Sequence, residues 1–156
     1  MIQEISQSLV TQLKAKVEAV NGNILEWSGD PKELLSRPKN VPALRVVYDR
    51  TDFSDTETIS NPLVQDTDHR FDVIVFYRSL RDKGNEVYPL IDAVYEALDG
   101  FQTDYGKVYP VGIQLLSHEA MEFVYVVSFS VKGLTQSGIE EDGNKTTQIN
   151  FIENEA

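Results

Sequence analysis

The chain contains no cysteine, which excludes a disulfide framework, a thiolate zinc site, a cysteine nucleophile and an iron–sulfur cluster. Basic residues are scarce: 14 Lys and Arg stand against 25 Asp and Glu, a formal charge of −11 over 156 residues. Such a surface repels phosphate backbones, so nucleic-acid binding through a basic face is not expected. No apolar run reaches the roughly 18 residues of a membrane span, so no membrane partner is expected either. Met1-Ile2-Gln3-Glu4-Ile5 lacks the basic and apolar regions of a signal peptide. The expectation is a soluble, globular protein, intracellular when made. A chain of this length buries roughly 69% of its extended surface on folding, enough core to need no staples.

Sequence motifs for chemistry are also missing. The nearest approach to a phosphate loop is Gly100-Phe101-Gln102-Thr103-Asp104-Tyr105-Gly106-Lys107-Val108. Its glycines are one residue too far apart, Val108 replaces the magnesium-binding hydroxyl, and a helix precedes it instead of a strand. No Gly-x-Gly-x-x-Gly and no Gly-x-Ser-x-Gly occurs. Of the two histidines, His69 lies in the one cluster resembling metal ligands, Asp66-x-Asp68-His69. A strand would send Asp68 and His69 to opposite sides, and a loop alone rarely fixes the three or more ligands a cation needs. Asp52 with Asp55, and Glu140 with Glu141, read as surface charge. No catalytic constellation emerges, so the expectation is no enzyme, no cofactor and no metal.

What is present is periodic. Ile2, Ile5, Leu9, Leu13, Val17 and Val20 recur at helical spacing and predict a helix over residues 1–21, stopped by Asn21-Gly22. Asp30-Pro31-Lys32-Glu33 carries start signals for a helix of one or two turns. Val41 to Tyr48 reads as a strand with Pro42 at its beginning or on an edge. Residues 49–68 then show no clear period and carry six acids against Arg50, which reads as a long polar connection with room for a short strand at Thr58-Ile59. Phe71 to Arg78 predicts a central strand, and Val87, Leu90, Ile91, Val94 and Leu98 a second helix that Gly100 ends. Residues 108–116 and 123–131 form an expected antiparallel hairpin joined through 117–121.

The predicted fold class is α+β: a small antiparallel or mixed sheet of about four strands packed against two helices, in the order α-β-β-α-β-β. Residues 1–132 make the expected domain, and 133–156 an acidic, glycine-containing C-terminal arm. Within the arm, residues 146–152 alternate Thr147, Ile149 and Phe151 like a strand. That strand could fray, add to its own sheet, or pair with a neighbouring subunit.

Several of these segments together resemble the Mu-like phage and prophage minor tail proteins of the tail-terminator type. The resemblance lies in the N-terminal amphipathic helix, in Val41-Pro42-Ala43-Leu44-Arg45-Val46-Val47-Tyr48, and in Phe71-Asp72-Val73-Ile74-Val75. It continues in Tyr88-Pro89-Leu90-Ile91-Asp92-Ala93-Val94, closing at Leu98-Asp99-Gly100. It covers about residues 1–132 and leaves the arm outside. The resemblance implies a structural subunit that forms a homo-oligomeric, hexameric ring on the end of the tail tube, halts its polymerisation and offers a surface to the head. The implied partners are the tube protein and a head-completion protein, and the implied location is the virion tail after assembly in the host cytoplasm. On such a ring, Asp52, Asp55, Glu57, Asp66, Asp68, Ile149 and Phe151 are candidate partner contacts. A neck or tail-completion protein, a host adaptor, and a metal-dependent enzyme using Asp66, Asp68 and His69 stay open as alternatives.

Overall fold

The computed structural model describes residues 1–35, 38, 40–54, 63–138 and 148–151. Helix α1 (Ile2–Lys16) forms on the apolar stripe, with Ile5, Leu9 and Leu13 fully buried. It is shorter than the expected 21 residues. α-Helical geometry stops at Val17, and Glu18–Asn23 continues as a 3-10 helix interrupted at Val20. Val17 and Val20 are still buried, so the tighter turn satisfies the same apolar pattern. Strand β1 (Ile24–Glu26) follows, too short to show a period. Helix α2 (Pro31–Leu35) starts where its cap predicts: the Lys32 amide donates to Asp30 Oδ1 at 3.0 Å.

Strands β2 (Ala43–Phe53) and β3 (Leu63–Arg78) correct the reading of residues 49–68 as a connection. Both strands run well into that region, and the connection between them is much shorter. The alternation is hidden because the inward positions there are Thr51, Thr67 and His69, polar residues that blur a period of two. Residues 55–62, including the Thr58-Ile59 candidate, lie outside the described residues.

Helix α3 (Tyr88–Leu98) accepts Pro89 in its first turn and buries Ile91, Val94, Ala97 and Leu98. Strands β4 (Gln102–Thr103), β5 (Gly106–Glu119), β6 (Glu122–Gly138) and β7 (Gln148–Phe151) complete the described chain. The β5–β6 hairpin closes through Ala120 and Met121 alone, at φ +51° and +67°, rather than through the five residues expected. Both lie in the left-handed region that a primed hairpin turn demands, and neither is the glycine or asparagine that suits it.

The fold is α+β, but among the described residues the sheet has seven strands where about four were expected. The order is β1-β2-β3-β6-β5-β4, with β7 added to β6 beyond the reach of β5. Every pairing is antiparallel except β1 with β2. The elements beyond the six of that order are short: β1 and β4 were not expected, whereas α2 and β7 fall where the sequence offers a one- or two-turn helix and the strand of residues 146–152.

Strands β3 and β6 pair without interruption from Leu63↔Ser137 to Arg78↔Glu122. On the face toward α1 and α3, Phe71, Val73 and Val75 lie opposite Phe129, Val127 and Tyr125, and join the helix residues in one core. The other face carries Asp68, Arg70 and Asp72, then turns apolar where Ala43, Phe76 and Val124 form a small separate cluster. Gly106, at φ +150°, is required where β5 begins: a Cβ there would lie 2.3 Å from the Lys132 carbonyl oxygen.

The buried phase of α3 is testable. Ile91→Ala is expected to cost about 2–5 kcal/mol by urea denaturation, because Ile91 is only 6% exposed and packs in the main core. A loss below about 0.5 kcal/mol, typical of surface sites, would contradict the packing.

Candidate assembly surface

Strand alternation and register bring Asp52, Asp66 and Asp68 together on the sheet face opposite the helices. Cross-strand register makes one row of Asp52 on β2, Asp68 on β3, Lys132 on β6 and Lys107 on β5. Acids occupy the β2 side of this row and lysines the β5 side. Asp52, Asp66, Asp68 and Lys132 line an open groove of about 370 Å³ with Phe53 and Ser54. Ser54 fixes the groove's lip: its hydroxyl accepts from the Asp66 amide at 2.9 Å, and its amide donates to the Asp66 carbonyl at 2.9 Å.

The charges are organised rather than loose. Arg70 bridges Asp68 at 2.9 Å, and the Ser130 hydroxyl also donates to Asp68. Partial burial works against ionisation of Asp68, yet these hydrogen bonds and the charges of Arg70 and Lys132 hold its carboxyl below the usual range. Arg50 bridges Asp52 at 3.1 Å with both side chains exposed, a pair of small energetic value. Asp72 behaves oppositely. Burial and the neighbouring charge of Asp49 raise its pKa, against a 2.7 Å hydrogen bond donated by Ser128.

His69 lies on the opposite face from Asp66 and Asp68, as strand alternation requires. It is fully buried, with Nδ1 2.8 Å from the Thr51 hydroxyl, which in turn is 2.7 Å from the Tyr48 hydroxyl. The Asp66, Asp68 and His69 metal constellation therefore does not assemble, and no group of three His, Asp or Glu among the described residues could hold a metal ion. Asp55 and Glu57 lie outside the described residues. Ile149 and Phe151 belong to β7, which pairs with β6 of its own chain at Ser137↔Ile149 and Thr135↔Phe151. Within the described part of the expected arm, β6 runs on through Gly133 to Gly138, and β7 pairs with it. No described helix is long and apolar enough to cross a membrane.

Sequence reasoning missed Lys132 and Lys107 as partners in the acidic row, because residues far apart in the chain meet only through the register. It also missed an uncharged run, Val108 to Ser117, which is visible in the sequence and becomes important once β5 is seen to lie near the sheet's edge.

A family model described as phage tail terminator protein matches residues 5–136. The chain belongs to that family. Its family is one of structural phage tail proteins. Among solved structures, a chain from the virion of a native gene transfer agent particle is similar at 16% identity, with a TM-score of 0.49, over 80% of this chain and 90% of that one. No curated protein matches.

In this tail terminator, burial lowers the pKa of His69 below the usual 6.5; the N-terminal ammonium adds to the effect and Asp68 opposes it. The unfolded chain then binds more protons than the native one as pH falls through about 6.5, so stability declines with acidification. His69→Gln is expected to flatten this decline: the drop in thermal midpoint between about pH 7.5 and pH 5.5 should be smaller than in the wild type. An equal drop in both proteins would show that His69 does not carry it.

Proposed function

We propose that this subunit caps the tail tube as a closed ring, hexameric as the family resemblance implies, and presents a surface for head attachment. The observation that carries the reading is the family match over residues 5–136. The architecture is compatible with it: the long strands present organised charge on the sheet face opposite the helices. Asp52, Asp66 and Asp68, with Asp55 and Glu57 of the following connection, belong to the proposed contact surface with a neighbouring subunit or the tube. Ile149 and Phe151 belong to it through β7, which extends the same end of the sheet.

Negative-stain microscopy of the purified protein, alone and mixed with tail tubes, tests the reading. Rings of a single size seated on tube ends are expected. Tubes that keep open ends, or protein bound along their sides, would overturn it. Because the contact surface is acidic, capping should weaken as salt rises, since exposed pairs are screened beyond about 8 Å at physiological ionic strength. Capping unchanged between low and high salt would assign the contact to apolar groups instead.

A further inference from the structure

Among the described residues, strand β5 is partnered on both sides only at its start. Its start meets β4 at Gly106 and Lys107, and Val108 exchanges backbone hydrogen bonds with Gly100 and Phe101. From Tyr109 onward no described strand lies on its outer side. Along this open edge Tyr109, Val111, Ile113, Leu115 and Leu116 are each 46–54% exposed. The ten residues from Val108 to Ser117 contain no charge, in a chain that is 25% charged and carries a net −11. A row of half-exposed apolar side chains with free backbone groups beside it is a template for another strand, and its apolar area is of the size that marks interaction sites, on the order of a few hundred Å².

The opposite end of the sheet is open too. β1 covers β2 only at Leu44–Val46, with one more bond from the Trp27 amide to the Val46 carbonyl, so Tyr48 to Phe53 has no described strand outside it. Leu25 on β1 and Phe53 on β2 are 48% and 50% exposed. Because β2, β3, β6 and β5 alternate in direction, β2 and β5 run oppositely, and β1 runs with β2. Setting the β5 edge of one copy beside the β1–β2 edge of the next therefore continues an antiparallel sheet.

Charge favours the same arrangement. The row Asp52, Asp68, Lys132, Lys107 has its acids at the β2 end and its lysines at the β5 end. Head-to-tail addition brings the lysine end of one row toward the acid end of the next, with only the two residues of β4 between. In a second row, Leu25, Arg45, Ile74, Val126 and Gln114 are in register, so Gln114 of one copy would approach Leu25 of the next.

We propose that the open edge of β5 seats the β1–β2 edge of a second copy of this chain, head to tail. A head-to-tail contact closes into a ring when its rotation divides a full turn. The choice of a second copy over a foreign protein rests on the ring-capping reading above.

The absence of cysteine makes single cysteines unique labels. Leu25→Cys and Gln114→Cys subunits, mixed and treated with a bifunctional maleimide, are expected to cross-link to each other, and the double variant to give a ladder that ends at one closed species. Gln114→Cys cross-linking to itself would show β5 meeting β5 across a two-fold axis and overturn the proposal. Absence of any cross-link overturns it as well; if the wild type still caps tubes, the ring reading survives that loss. Cross-linking without capping leaves the edge contact standing and overturns the capping role. Independently, Ile113→Glu with Leu115→Glu, both already half exposed, should leave the monomer's melting unchanged while raising the concentration needed for assembly by roughly tenfold or more. Unchanged assembly would overturn the proposal.

Discussion

The structure depends on one ladder, the pairing of β3 with β6. All 16 residues of β3 find a partner on β6, where a typical strand has only about five or six. At about 3.3 Å per residue this spine is some 53 Å long, whereas the 15 residues of α1 cover about 22 Å. The core gathers where α1 and α3 pack on β3 and β6, around Phe71, Val73, Val127 and Phe129. Burial of the inner face continues along β3 to His69 and Thr67, so the open surface is the opposite face of the same ladder, where Asp66, Asp68 and Arg70 lie.

The ladder also explains how so acidic a chain places its charge. A strand sends alternate residues to opposite faces, so β3 can hold Thr67 and His69 inward while Asp66, Asp68 and Arg70 face out. Outward acids on neighbouring strands would repel each other unless bases share the row. Arg70 beside Asp68 and Lys132 opposite it meet that need locally. The resulting row is acidic at its β2 end and basic at its β5 end, a polarity that no local stretch of sequence displays.

Legibility followed the same physics. The apolar stripes of α1 and α3 and the alternation of residues 71–78 and 123–131 were readable because each buries one continuous apolar face. The lost ground lies where that signal fails. Residues 49–53 and 63–68 are strand, yet Thr51, Thr67 and His69 face inward and erase the contrast that would reveal it. β1 and β4 are three and two residues long, too short for any period, and pair because a neighbouring strand offers them hydrogen bonds; β7 lies within the alternating stretch 146–152. Among the candidate contacts, the sequence showed that Asp52, Asp66 and Asp68 were acids without local bases. It could not show that Lys132 and Lys107 complete their row, since that grouping is set by register across four strands.

An exposed apolar edge carries a hazard that the β5 strand answers within its own sequence. A flat, continuous edge would accept any extended chain and promote uncontrolled stacking. β5 breaks its register between Pro110 and Gly112 and again between Leu115 and Ser117, and Pro110 has no amide hydrogen to offer. Between these interruptions only Gly112 to Leu115 keeps a regular register with β6. Four residues provide little backbone affinity alone, so adhesion must draw on the flanking side chains and on the charge row, both of which select for a partner of defined shape and polarity. The bulges also increase the local twist, and a twist between successive edges is what turns a repeated head-to-tail contact away from a flat sheet. The features that protect the lone subunit from indiscriminate pairing are therefore the same ones that would give its assembly a direction and a curvature.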